Sequence, residues 1–172
     1  ATVCVPDYAS PSKVEVIRSF GADVKFFGDD CVKTEAYARA LSEEHGLTYV
    51  SPYNDADVAA GQGTIGLELS TQLESMDAVF ISLGGGGLIA GVGSYLKAVS
   101  PQTKMVAVSP EKSPAMHACL EAGAIIDVPC YDTLSDATAG GVEPGAVTFE
   151  LCQQVVDESL VITCSNCQPD LS

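Results

Sequence analysis

The sequence predicts an α/β fold in which parallel sheets are covered by helices on both faces. Strand-like and helix-like segments alternate along the whole chain, and several of the strand-like segments are almost entirely apolar. Strands of that composition are buried on both faces, as in parallel sheets connected through helices. The 172 residues correspond to about one domain, and a hydrophobic content of 47% argues against a disordered chain.

In the first third of the chain, glycine and proline mark where predicted elements end. The predicted strands cover 1–6, 22–27 and 48–51, and the predicted helices cover 12–20 and 34–45. Gly21 and Gly46 follow the two helices, and Pro52 closes the third strand. Because these three strands could form a small sheet of their own, we expect residues 1–55 to be part of a small domain and residues 56–172 to be part of a larger one.

The alternation continues through the rest of the chain. A helix is predicted over 64–74, and Gly61 and Gly63 are expected to form the loop that leads into it. The remaining predicted strands cover 78–83, 104–108 and 159–163, and the remaining predicted helices cover 89–99, 113–122 and 149–156. The apolar strand at 78–83 is followed directly by a run of four glycines, which is the central feature of the sequence.

The charge of the chain excludes some classes of partner. Eight basic and 23 acidic residues give a formal net charge of −15. We do not expect a nucleic acid partner, because a phosphate backbone is bound through lysine and arginine. No apolar run reaches the roughly 18 residues of a membrane span, so no membrane association is expected. The first residues also lack the basic and apolar stretches of a signal peptide.

The seven cysteines indicate a reducing compartment. Their number is odd and their spacing irregular, which favours free thiols in a cytoplasmic protein over a disulfide framework. Cys164 and Cys167 form a CxxC pair, but the chain has no second pair and no histidine near it. We therefore do not expect a zinc site.

Four consecutive glycines between a buried strand and a helix predict a phosphate site. Glycine lets the backbone turn sharply, and the N–H groups of such a loop can all point into one concavity. The N-terminus of the following helix adds a positive end, so no basic side chain is needed, and the nearest in sequence is Lys97. A tight strand-to-helix turn is the alternative, although one or two glycines would be enough for it. The predicted phosphate-binding residues are Gly84, Gly85, Gly86, Gly87 and Leu88.

The residue pattern alone leaves the kind of phosphate open. A Walker loop is excluded because Leu88 and Ile89 stand where it needs lysine and serine or threonine. Gly85, Gly87 and Ala90 match a relaxed dinucleotide-binding fingerprint, and Glu111 could contact a ribose. That reading gives no role to the first 80 residues.

Further segments resemble, in order, the pyridoxal phosphate (PLP)-dependent serine/threonine dehydratases and serine racemases. The likeness runs from residue 1 to about residue 163 and is most specific in AGQGT at 60–64 and GGGGLIAG at 84–91. The other matching segments are DYASPSKV at 7–14, FGA at 20–22, YVSPY at 49–53 and LSDATAGGVE at 134–143. The sequence is thus similar to that of the family over almost its whole length.

The resemblance implies a fold type II PLP enzyme, with the cofactor between a small domain (1–55) and a large PLP-binding domain (56–172). It implies α,β-elimination from a small hydroxy amino acid such as serine or threonine, or racemisation of it, by a homodimer. The cofactor ring would draw electrons from the substrate once the α-proton is removed, while the protein positions both.

The sequence departs from the family pattern at the catalytic lysine. Family members carry that lysine in a Ser-x-Lys-x-Arg segment ahead of the region that matches residue 1, and none of the six lysines here has this context. We therefore assign no catalytic residue and expect the 172-residue polypeptide alone to be inactive. Two other functions remain as hypotheses. The chain could be a non-catalytic truncated relative that binds PLP or a partner subunit, or it could be a dinucleotide-binding module.

Two smaller departures concern a metal site and the chain end. Ser109 stands where many members have glutamate and Ala115 where the racemases have aspartate, so no divalent metal is expected there. Residues 164–171 resemble the family's far end, where a serine or cysteine hydrogen-bonds the pyridine nitrogen. The resemblance makes Cys164 or Ser165 that partner, and the alternative is a chance likeness in a frayed tail.

Overall fold

The computed structural model describes residues 1–163, which form two compact units, Ala1–Val50 and a second that begins at Ser51. The first unit contains β1 (Thr2–Val5), α1 (Pro11–Ser19), β2 (Asp23–Phe26) and α2 (Cys31–His45). The second contains α3 (Ala56–Gln72), β3 (Ala78–Ser82), α4 (Gly87–Val99), β4 (Lys104–Pro110), α5 (Ala115–Ala122), a 3-10 turn (Asp136–Thr138), α6 (Val147–Val155) and β5 (Glu158–Ile162). In the part of the chain described, no helix is long and apolar enough to span a membrane.

In the first unit, β1 and β2 pair in parallel, with Thr2 opposite Asp23. Asp30 caps the start of helix α2, and its side chain accepts a hydrogen bond from the N–H of Val32 at 2.7 Å. The helix is followed by Gly46, which has the left-handed conformation. These are the favoured residues at the two helix ends, because a short side chain caps free N–H groups and glycine tolerates positive φ.

The predicted strand at 48–51 is wrong. Residues 48–51 have no regular structure, and the sheet of the first unit consists of β1 and β2. A strand needs a hydrogen-bonded neighbour, and no other described strand runs beside this segment. Instead, the ring of Tyr49 packs under the guanidinium group of Arg39 at 4.6 Å from the ring centroid.

The second unit is built on a three-stranded parallel sheet in the order β3-β4-β5, with Ala78 opposite Lys104 and Val106 opposite Glu158. The predicted α/β fold with parallel sheets is therefore confirmed. Helix α4 lies at the centre of the core, since most of its apolar side chains are fully buried. The core side chains with essentially no exposure include Ile89, Val92, Leu96, Met105, Met116, Cys119 and Cys152.

Helix α3 starts at Ala56 and not, as predicted, at residue 64. The Asp55 side chain caps it by accepting the N–H of Asp57 at 2.8 Å, so Gly61 and Gly63 lie inside the helix. Gly63 of α3 and Gly91 of α4 permit close contact between the two helices, since a β-carbon on Gly63 would lie 3.2 Å from the carbonyl oxygen of Gly91. A β-carbon on Gly91 would lie 1.9 Å from the carbonyl oxygen of Ala59. The AGQG segment thus packs a helix against α4, which fixes α4 and the loop that precedes it.

Candidate phosphate-binding site

The four glycines link the carboxyl end of β3 to the first residue of α4. Gly86 is the N-cap of α4 and has a φ of 88°, which only glycine adopts readily. Gly85 has no positive φ, so left-handed geometry explains the glycine at 86 and not its neighbour. Gly86 and Gly87 are buried, whereas Gly84, Gly85 and Leu88 are partly exposed.

Side chains from α6 and β4 hold the carbonyl groups of this loop. The Thr148 hydroxyl donates to the carbonyl oxygen of Gly85 at 2.7 Å, and the Cys152 thiol donates to that of Gly86 at 3.7 Å. The hydroxyl of Ser109 donates to the carbonyl of Leu83 at 3.2 Å. The carbonyl groups of Leu83, Gly85 and Gly86 therefore point toward side chains of β4 and α6.

The N–H groups of the loop face the other way. A trans peptide directs its C=O and N–H in opposite directions, so the N–H groups of Gly86 and Gly87 point away from α6. Among residues 1–163, the N–H groups of Gly85, Gly86, Gly87 and Leu88 donate no hydrogen bond. Consecutive free N–H groups at a helix N-terminus form a site suited to a phosphate dianion.

Other parts of the protein pack closely against the glycines of the loop. A β-carbon on Gly84 would lie 3.0 Å from Cα of Thr138, one on Gly85 would lie 2.4 Å from Cγ of Tyr53, and one on Gly86 would lie 2.8 Å from Sγ of Cys152. Real Cβ contacts are rarely this short, so close packing accounts for glycine at 84 and 85 and adds to the effect of the positive φ at 86. The feature that specifically indicates an anion is the set of free N–H groups.

Tyr53 is held over the loop by hydrogen bonds within the second unit. Its hydroxyl accepts the N–H of Glu143 at 2.7 Å. The side chain of Asn54 donates to the Glu143 carboxylate at 2.5 Å and accepts the N–H of Val147 at 2.9 Å. This network ties the segment before α3 to the segment before α6 and keeps the ring against Gly85.

The site uses no cationic side chain from α4. Lys97 lies near the other end of the helix, about 15 Å from Gly87 at 1.5 Å per residue. Its ammonium group pairs with Asp157 at 2.6 Å and donates to the carbonyl of Thr103 at 3.0 Å. Behind the loop, burial raises the pKa of the Cys152 thiol to about 12. That thiol is therefore neutral near pH 7 and places no negative charge beside the anion site.

The remaining predicted site residues are not part of this cluster. Cys164 and Ser165, like the CxxC pair, lie outside the described residues. Ser109 is buried and bonded to Leu83, and Ala115 is the first residue of α5. Within residues 1–163, no group of three or more acidic, histidine or cysteine side chains could hold a metal ion. The absence of a divalent metal stays a prediction, which the melting temperature with and without EDTA tests.

Sequence reasoning missed the residues that shape the loop from behind. Thr148 and Cys152 are one helical turn apart on α6, so both side chains face the glycines. One sequence signal could have found Thr148, because the helical period of α6 places this threonine on the buried face of the helix.

The sequence of the chain is similar to those of proteins of one known family. A sequence model of the family described as "Pyridoxal-phosphate dependent enzyme" matches residues 1–167. The chain is 41% identical over 164 residues to the L-threonine ammonia-lyase of Thermotoga maritima, covering 94% of this chain and 40% of that enzyme. It is 36% identical over 162 residues to the chloroplastic biosynthetic threonine dehydratase 2 of Solanum lycopersicum, covering 94% of this chain and 27% of that protein.

A solved structure agrees with these matches. Maize serine racemase superposes with a TM-score of 0.86 at 28% identity, and the match covers 96% of this chain and 50% of that one. The chain thus spans less than half of the curated relatives named above and half of the racemase structure. With residues 1–167 matched, the chain belongs to the pyridoxal-phosphate-dependent enzyme family.

Proposed function

We propose that these residues provide the cofactor-phosphate site of an enzyme that acts on small hydroxy amino acids, eliminating water and releasing ammonia from threonine or serine. Racemisation of the same substrates is the alternative reaction. The observation that supports the site is the row of N–H groups at Gly85–Leu88 that donate no hydrogen bond to any of residues 1–163. The substrate class rests on the relatives, which are named as threonine dehydratases, threonine ammonia-lyases and a serine racemase.

In this proposal, residues 1–50 belong to the small domain and residues 51–172 to the large PLP-binding domain, because the contacts divide between Val50 and Ser51. The boundary predicted at residue 55 moves to residue 50, since Tyr53 and Asn54 are hydrogen-bonded to Glu143 and Val147 of the second unit. PLP, when bound, supplies the electron withdrawal that makes the α-carbon acidic. The residues described here hold its phosphate through backbone N–H groups and position it through the rigid connection of the loop to α4 and α6. A dinucleotide site is disfavoured because the family match also includes the first 80 residues.

We assign no catalytic residue. Among the described residues, ion pairs join Lys33 to Asp29, Lys97 to Asp157 and Lys104 to Glu158. The hydrogen bond from Lys33 to Asp29 raises the pKa of Lys33, and that from Lys104 to Glu158 raises the pKa of Lys104. Since a protonated amine is not a nucleophile, Lys33 and Lys104 are poor candidates for covalent capture of the cofactor.

Two measurements on the protein purified from its source test the proposal. The first is its intact mass with its bound cofactor, and the second is release of 2-oxobutyrate from threonine and of pyruvate from serine, with loss of chirality as the assay for racemisation. PLP together with release of either keto acid, or with racemisation, would support the proposed enzyme. A native protein that holds PLP and turns over neither substrate would favour the non-catalytic relative. A native protein without affinity for PLP would contradict both.

The assembly state and the cellular location of the protein are also proposed. We propose a homodimer, which the family resemblance supports, and a cytoplasmic location, which the five free cysteines among the described residues support through the need for a reducing compartment. Light scattering of the native protein tests the first, since it gives the mass of the assembly. Cell fractionation tests the second, and recovery in an organelle fraction would contradict it.

A further inference from the structure

Helix α6 contacts the glycine loop through two buried side chains. Thr148 is fully buried, and its hydroxyl donates to the carbonyl oxygen of Gly85 at 2.7 Å. One turn later, the sulfur of Cys152 fills the space behind Gly86. A hydroxyl that binds one peptide carbonyl fixes the orientation of that whole peptide plane.

The plane in question carries the N–H of Gly86. If the hydroxyl of Thr148 is removed, the carbonyl of Gly85 loses its partner inside the protein, which is unfavourable for a buried acceptor. The peptide can then rotate toward another partner, because glycine on both sides of the bond places little steric restriction on φ and ψ. Rotation would turn the N–H of Gly86 away from the position that an anion would occupy.

We propose that Thr148 is a positioning residue of this site: through Gly85, its hydroxyl directs the N–H of Gly86 toward the phosphate. The inference rests on the proposed function, because it concerns the same phosphate. It goes beyond the glycine motif, since it makes the affinity of a backbone site depend on one side chain that does not touch the ligand. Cys152 supports the arrangement by filling space, and as a neutral thiol it adds no repulsion.

Two pairs of substitutions isolate the hydroxyl. Threonine and valine have nearly the same shape and differ in the hydroxyl, so the original protein and Thr148→Val form the first pair. Serine and alanine also differ in a hydroxyl, so Thr148→Ser and Thr148→Ala form the second. Either pair gives the answer, so the test survives if one variant does not fold. Thr103→Val is the matched control. Thr103 is also fully buried and donates to a backbone carbonyl, that of Met76 at 2.9 Å, but it lies just before β4, at the end of the strand remote from the loop.

The measurements are the affinity for PLP, the affinity for inorganic phosphate as competitor, and the melting temperature. We expect Thr148→Val to weaken binding of both probes about ten-fold, equivalent to about 1.4 kcal/mol. Thr148→Ser should stay within about two-fold of the original protein, and Thr148→Ala should resemble Thr148→Val. Thr103→Val should lower the melting temperature by a similar amount and leave both affinities unchanged.

The outcomes separate the two proposals. If the unsubstituted protein binds PLP and the folded Thr148→Val variant binds it equally well, the positioning role is wrong and the phosphate site stands. If Thr103→Val weakens binding as much as Thr148→Val, the effect is one of general stability and the positioning role is again wrong. If the unsubstituted protein binds neither probe, the proposed function fails, and this inference fails with it.

Discussion

The ring of Tyr53 lies so close to Gly85 that a β-carbon on Gly85 would come within 2.4 Å of the ring's Cγ. The ring is itself buried, and its hydroxyl is fixed by the N–H of Glu143. It therefore cannot move aside without breaking that bond. This contact explains why glycine is needed at a position whose backbone conformation would allow other residues.

The first prediction concerns stability. Gly85→Ala should lower the free energy of unfolding by about 1–3 kcal/mol, as expected when a side chain is forced into a packed interior. Gly61→Ala is the control, because a β-carbon there meets nothing within 4 Å and the residue lies inside a helix. It should stabilise the protein by up to about 1 kcal/mol. Urea unfolding of the two variants measures this, and equal effects would contradict the packing account.

The second prediction separates backbone from charge in anion binding. Gly86→Val should abolish binding of PLP, because valine is strained at a φ of 88° and its β-carbon would collide with Cys152. Lys97→Ala should leave the affinity within about two-fold, since that lysine pairs with Asp157 at the far end of α4. Equilibrium titration with PLP distinguishes the two. Similar losses in both variants would indicate a site that depends on cationic side chains.

The third prediction is a pH dependence at Asp157. Partial burial acts to raise the pKa of this carboxyl, but its hydrogen bonds with Lys97 and the N–H of Met105, together with nearby lysine charges, outweigh burial and lower the pKa below the ordinary 3.8. A lowered pKa in the folded state means that the stabilisation is fully present above the ordinary value and is lost as the pH falls through the lower one.

Asp157→Asn should therefore destabilise the protein at neutral pH by about 1 kcal/mol or less, since the pair is partly exposed. The difference from the original protein should shrink as the pH falls below 3.8. Glu158→Gln, which breaks the more exposed pair with Lys104, should cost less at neutral pH. Unfolding curves across this pH range provide the measurement. A difference that grows on acidification would contradict the assigned sign.

The fourth prediction concerns thiol reactivity. Because burial raises the pKa of Cys152 to about 12, its thiolate is scarce near neutral pH and its sulfur is not accessible. In the folded protein an alkylating reagent should modify the partly exposed Cys31 well before Cys152, and both should react in denaturant. Peptide mapping by mass spectrometry gives the order. Rapid modification of Cys152 in the folded protein would show that α6 does not seal the back of the loop.

Much of this architecture could be predicted from local pattern. The apolar strand and the glycines that follow it are adjacent in sequence, so β3, the loop and the start of α4 were predictable together. The parallel sheet followed from the alternation of elements. Helix α3 was predicted too short because glycine usually interrupts helices, whereas here the close approach to α4 at Gly91 favours glycine within the helix.

The residues that shape the loop could not be predicted in the same way. Thr148 lies 63 residues from Gly85, and Tyr53 lies 90 residues from Glu143. No local periodicity joins residues so far apart, and only the packing of α6 and of the segment before α3 brings them to the glycines. The predicted strand at 48–51 failed for a related reason, since a strand depends on a neighbour that local sequence does not reveal.

We propose that backbone N–H groups at the start of α4 bind the phosphate of PLP. The most direct test follows the amide resonances of the ¹⁵N-labelled protein during titration with PLP, and with pyridoxal, which lacks the phosphate, as the control. We expect saturable downfield shifts concentrated at Gly85, Gly86, Gly87 and Leu88 with PLP and far smaller shifts there with pyridoxal, because charge-assisted hydrogen bonds form with the phosphate alone. Saturable shifts that leave these four amides unchanged, or that are the same for both compounds, would contradict the claim.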